Sequence, residues 1–173
     1  MVRNSRIHVC DILLKVEYST WAKPPKAYVP QHCLDVIECQ KGIKQIIFSD
    51  FVIFELNAKV SKLLPTCRDL DIKTRLLIDL RNRPKFKICD SYQSGIWNLS
   101  CFLRKYHSDY VDCIHWATAF SEKVDVFVTE DQRIAQLSKD SEFLKEFTNE
   151  FALHDIEIKN FHQYTREMVK VRN

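Results

Sequence analysis

The sequence predicts a three-layer α/β/α architecture around a central parallel sheet of four to five strands. Short runs rich in Val, Ile and Phe alternate with helical patterns along the whole chain. That order gives parallel strands joined by crossover helices. Acids also follow strand runs: Asp11 comes after Ile7-His-Val-Cys10, and Asp131 follows Val126-Phe-Val-Thr129-Glu130. In a parallel sheet the strand ends share one edge, the edge at which ligands bind. At 173 residues the chain reads as one domain, 1–173, large enough to bury a core.

Each element has a local reason. Arg6 to Cys10 is a strand that delivers Asp11, and residues 12–18 read as a short helix. Residues 20–30 hold three of the five prolines and form an extended loop. A helix over 31–41 ends at Gly42, a natural C-cap, and Ile43 to Phe48 is a strand closed by Ser49. The helix from Asp50 stops before Pro65, and another runs from Arg68 to about residue 82. A strand over Phe86 to Cys89 precedes a helix over 91–106. The helix of Asp112 and a strand over Val124 to Thr129 come next. One or two short helices reach Asn149, then come a strand at Ile156 to Ile158 and a helix from Phe161 to Val169.

Composition excludes several function classes. With 46% hydrophobic and 28% charged residues the chain is globular rather than disordered. No apolar run approaches the roughly 20 residues that span a bilayer, and the N-terminus meets Asp11 before any signal-like apolar core forms. The expectation is a cytoplasmic protein with no membrane partner. Only Gly42 and Gly95 are glycines, so no glycine-rich phosphate cradle can form. Seven cysteines contain no Cys-x-x-Cys pair, which removes zinc-ribbon spacing. Cys10, Cys89 and Cys113 sit in apolar runs and read as buried small hydrophobes. The net charge of +3 suits an anionic partner without requiring one.

Each acid has an ordinary structural explanation as well as a chemical one. Asp11 could cap the next helix, and Glu55 could be a solvated residue on an amphipathic face. Asp112 could be a first-turn acid behind an N-cap at Ser108 or Asp109. Asp131 or Thr129 could cap the helix after the strand, and His115, one turn on from Asp112, reads first as a hydrogen-bonded packing residue. Position raises the chemical reading. Asp11, Glu55, Asp112 and Asp131 can all reach one sheet edge, and carboxylates that close repel unless a cation joins them. Oxygen ligands favour Mg²⁺ or Mn²⁺ over zinc.

Assembled in this way, the chain resembles the PIN-domain nucleases, and within them the VapC-like ribonucleases. The family's helix pattern reads here as Asp112-Cys-Ile-His-Trp-Ala-Thr-Ala119, and its strand-to-acid pattern as Val126-Phe-Val-Thr129-Glu-Asp131. Ser49 followed six residues later by Glu55 matches a third motif, Asp11 matches the first acid, and residues 156–161 look like the closing strand and turn. Two features depart from the pattern. Ile12 and Leu13 follow Asp11 where the family usually has a hydroxyl residue and then Asn, and residues 20–42 form a longer loop and helix than compact members carry.

The resemblance implies a metal-dependent endoribonuclease acting on single-stranded or structured RNA. Asp11, Glu55, Asp112 and Asp131 would be its catalytic, Mg²⁺- or Mn²⁺-binding acids, with Thr129, His115 and Ser49 in support. It also implies a toxin with an antitoxin partner, and a homodimer. From the residues themselves, the basic run Arg81, Arg83, Lys85 and Lys87 is a candidate RNA track, and Trp21 a candidate stacking residue. Ile12 and Leu13 leave open a catalytically weakened domain that binds RNA or protein. A haloacid-dehalogenase-type phosphatase would need a second acid at position 13, where Leu13 stands.

Overall fold

The structure is a computed structural model that describes residues 5–9, 43–52, 54–55, 82–129, 131–151, 156–160 and 163. Five strands form one sheet: β1 (Ser5–Val9), β2 (Ile43–Ser49), β3 (Phe86–Cys89), β4 (Val126–Val128) and β5 (Glu157–Lys159). Their order is β3-β2-β1-β4-β5, and every pairing is parallel. This is the predicted sheet at its upper strand count, with strand bounds within two residues of those read from sequence.

The strand order sets the working edge. From β1 the chain goes out to β2 and β3 on one side and returns to β4 and β5 on the other. The sheet therefore reverses direction between β1 and β4, where connections on opposite sides diverge and leave a crevice at the carboxyl ends. Val9 pairs with Val128, and Ser49 pairs with Cys89. The chain leaving β1, β2 and β4 thus emerges at a common edge.

The core explains why the strands read as unbroken apolar runs. Ile46, Ile47, Phe48 and Ser49 are successive residues and all buried, so both faces of β2 are covered. Phe127 and Val128 repeat this on β4. Four helices are described in full: α1 (Ser94–Leu103), α2 (Tyr110–Ser121), α3 (Gln132–Leu137) and α4 (Ser141–Glu150). On α1 the buried Ile96, Leu99, Phe102 and Leu103 recur at helical spacing. Phe102 meets Phe143 and Phe147 of α4 with ring centroids 6.4 and 5.9 Å apart.

Helix α2 differs in kind. Residues 113 to 119 are all buried, so it is packed on every side. Ala117 and Ala119 allow that close approach, while His115 and Thr118 must find partners inside. The helix closes on a Schellman turn: Val124 N–H donates to the Ala119 carbonyl, and Lys123 takes φ 51°.

Residues 50–52 and 54–55 are helical, as expected of the segment after β2. The remainder of that helix, those expected at 12–18 and 31–41, the loop over 20–30 and most of the two expected at 68–82 and 161–169 lie outside the described residues. So do Asp11, Trp21, Arg81 and Cys10.

Candidate metal centre at the carboxyl edge

Asp112 and Asp131 reach the same point from different elements, and each arrives through a local capping device. At the start of α2 the cap is Asp109, whose side chain accepts from Val111 N–H at 2.9 Å and Asp112 N–H at 3.4 Å. Ser108 is not the cap, and Asp112 is released from capping to lie in the first turn. The acid is stabilised there by the positive end of the helix. Asp131 caps α3, accepting from Ile134 N–H through Oδ1 at 2.9 Å. Thr129 is not that cap: its hydroxyl accepts the Asp131 N–H at 3.1 Å and so shapes the turn between β4 and the acid.

His107, which pattern reading passed over, joins these two acids. One ligand atom from each of His107, Asp112 and Asp131 lies within 4.8 Å of the other two. His107 Nε2 is 3.2 Å from Asp131 Oδ2, with the imidazole 5% and the carboxylate 27% exposed. Asp131 therefore uses one oxygen as a cap and directs the other to the cluster. The available signal was weak: a histidine two residues before a helix cap in His107-Ser-Asp109.

The turn that carries His107 is held from several sides. Arg104 Nη1 donates to the His107 carbonyl at 3.0 Å, and Arg133 Nε donates to the Tyr106 carbonyl at 3.4 Å. The Tyr106 hydroxyl donates to Glu146 of α4.

Glu55 is placed by a second histidine. His115, 1% exposed on α2, has Nε2 2.9 Å from Glu55 Oε2 and Nδ1 2.8 Å from Ser49 Oγ. Ser49, His115 and Glu55 form one chain of contacts, and Glu55 stays 24% exposed. Among the described residues Glu55 is not part of the His107–Asp112–Asp131 cluster. It lies along α2 beside it, because His115 is one turn on from Asp112.

Of the basic run, Arg81 lies outside the described residues, and Lys87 is directed along the sheet rather than to Asp112. Lys87 pairs with Glu122 at 2.6 Å, at the C-cap of α2, about 15 Å along the helix from Asp112. Arg83 lies over the Phe86 ring, 5.5 Å from its centroid. An aromatic row instead links the site's own elements. Phe51 is 6.1 Å from Tyr92, Tyr92 stacks on Trp97 at 6.4 Å and 11°, and Trp97 meets Tyr110 edge-on at 5.4 Å.

Two of the cysteines expected to be buried are so. Cys89 and Cys113 are 3% and 0% exposed, and Cys101 lies at the surface. Burial is the main cause that raises both thiols to about 12 from an ordinary 9.0. They are packing residues and not nucleophiles.

The chemistry of the clustered groups fits a divalent cation. Two carboxylates and an imidazole whose ligand atoms lie within 4.8 Å of one another supply hard oxygen donors and one nitrogen. Among the described residues no helix is long and apolar enough to cross a membrane.

Comparison with known proteins agrees with this fold. Residues 31–140 match the PIN domain, a span that contains Ser49, Glu55, Asp112 and Asp131 and begins after Asp11. Among solved structures the chain is similar in fold to VapBC2 from Rickettsia felis, crystallised bound to a DNA fragment from their promoter. The TM-score is 0.50 at 17% identity, covering 90% of this chain and 98% of that one. No curated protein matches the sequence. With the family pattern matched over more than half its length, its strands in parallel order and two motif acids converging at the carboxyl edge, this chain belongs to the PIN-domain family.

Proposed function

We propose that the protein is a metal-dependent endoribonuclease that hydrolyses phosphodiester bonds of single-stranded RNA. The observation that carries this reading is the convergence of Asp112 and Asp131, with His107, on one point at the carboxyl edge of the sheet. Asp11, Glu55, Asp112 and Asp131 are the proposed Mg²⁺- or Mn²⁺-binding acids, with Ser49, His115 and Thr129 as positioning residues. When bound, such an ion makes an attacking water more acidic and offsets the charge that builds on the phosphate in the transition state.

The chain's own groups divide the remaining work. Asp112 and Asp131 hold negative charge together at the edge, where a cation relieves their repulsion. Thr129 and the α3 cap fix the direction of Asp131. Ser49 and His115 fix Glu55. Tyr92 and Trp97, 73% and 39% exposed, offer flat faces on which unpaired bases can stack. The Phe51 end of that row lies one helical turn before Glu55, which supports a single-stranded substrate.

A toxin role, with an antitoxin protein as partner and a homodimer as the working unit, extends this reading. The likeness in fold to VapBC2 supports it. A cytoplasmic location fits the same role. The alternative is a catalytically weakened domain that binds RNA or protein, and the apolar Ile12 and Leu13 after Asp11 favour it.

The test is Mn²⁺-dependent cleavage of a single-stranded RNA by wild type and by Asp112→Asn. Cleavage that chelation abolishes, and that falls by about a hundredfold or more in the variant, supports the nuclease. Equal binding with no cleavage by either protein supports the binding module.

A further inference from the structure

The Asp109 peptide backbone offers His107 Nδ1 two partners at nearly equal range. The carbonyl oxygen lies 3.1 Å away, and the amide nitrogen 3.0 Å. Only one can be used at a time: a protonated Nδ1 donates to the carbonyl, and a bare Nδ1 accepts from the amide. That choice decides what Nε2 presents to the acids. With Nδ1 bare, Nε2–H donates to Asp131 Oδ2. In a neutral ring with Nδ1 protonated, Nε2 turns a lone pair toward the acids, which is repulsive unless a cation lies between them.

The ring need not move between these two states. It is 5% exposed, and the contacts of Arg104 and Arg133 hold its turn. The distance also bears on the choice. At 3.2 Å the Nε2–Oδ2 separation is long for a charge-assisted hydrogen bond, which runs about 2.7–2.9 Å. It is a separation that also leaves the two atoms free to serve one ion together.

We infer that His107 is a nitrogen ligand of the divalent ion at Asp112 and Asp131, making a mixed nitrogen–oxygen centre that selects Mn²⁺ over Mg²⁺. This rests on the metal-centre reading of the site given above and adds a ligand that the family's acidic motifs do not contain. Imidazole nitrogen is a good donor to first-row transition ions and a poor one to Mg²⁺, which prefers oxygen and retains its waters. A ring that ligates through Nε2 carries its proton on Nδ1. Nδ1–H then donates to the Asp109 carbonyl, the kind of outer partner that fixes metal-bound imidazoles.

Pulsed electron paramagnetic resonance of Mn²⁺ on the full chain reads directly bound nitrogen without reference to activity. The wild type is expected to show coupling to one imidazole, lost in His107→Gln and kept in His115→Gln. By calorimetry, His107→Gln should lower Mn²⁺ affinity about tenfold or more and leave Mg²⁺ affinity largely unchanged. Mn²⁺ bound to wild type without nitrogen coupling, or coupling that persists in a folded His107→Gln variant, overturns the ligand assignment and leaves the metal centre standing. A folded wild-type chain that binds neither ion overturns both. Bound Mn²⁺ without nitrogen coupling in the wild-type spectrum overturns the assignment even where a variant does not fold.

Discussion

His115 Nε2 lies 2.9 Å from Glu55 Oε2, joining the helical turn after β2 to helix α2 across 60 residues of sequence. The same ring reaches Ser49 Oγ at 2.8 Å through Nδ1, so both ring nitrogens are engaged at the end of β2. His115 stands three residues after Asp112, a rise of about 4.5 Å along α2. A buried imidazole is thus the strut that sets one motif acid beside another.

Replacing His115 should therefore affect both stability and metal binding. His115→Ala leaves Ser49 buried without this partner and frees Glu55, at an expected cost of about 1–3 kcal/mol in urea unfolding. The thermal shift given by saturating Mn²⁺ should shrink as well. An unchanged shift would show that Glu55 acts independently of the strut.

Asp131 has two separable duties, and two substitutions divide them. Asp131→Asn keeps a capping oxygen for Ile134 N–H but loses the charge, whereas Asp131→Ala loses both. Unfolding should place the Ala variant about 1 kcal/mol below the Asn variant. Cation binding should be weakened to a similar degree in both, which calorimetry would measure.

The thiols predict a pH dependence. In the fold Cys89 and Cys113 titrate near 12, while the unfolded chain's thiols ionise from about 9.0 upward. A raised folded value gives stability that is fully present below the unfolded value and lost as pH rises through the folded one. Stability should fall between about pH 9 and 12, and Cys89→Ser with Cys113→Ala should flatten that slope. At about pH 8, alkylation with mass-spectrometric readout should modify Cys101 well before either buried thiol.

Lys123 occupies the left-handed position of the Schellman turn with φ 51°. A non-glycine residue there bears a cost of roughly 1 kcal/mol, so Lys123→Gly should stabilise the fold. The expected rise in melting temperature is about 2–4 °C, measured by calorimetry. A fall would mean that the Lys123 side chain makes contacts worth more than the strain.

Part of the site was legible because its cues are local. A helix cap needs only an acid and the next three backbone amides, so Asp131 was readable as a cap and Asp109 as one of two candidates. A strand followed by an acid needs only a short run, so the edge bearing Asp112 and Asp131 was expected. The basic run Arg81 to Lys87 was also visible as a charge cluster, but charge alone does not say where it faces. The fold sends Lys87 to Glu122, away from the acids.

The sequence by itself determined the alternation of strands and helices and the family pattern, which includes the pair Asp112 and Asp131. Periodicity, capping and turn chemistry act over a few residues, and each leaves a mark in the order of side chains. Only the tertiary structure decided that His107 meets Asp131 and that His115 ties Glu55 to Ser49. Those contacts depend on strand order and on the docking of α2 along β2, which bring together groups 24 to 66 residues apart. A lone histidine carries no periodic signature, and its role depends on what the folded sheet brings within reach of its two nitrogens.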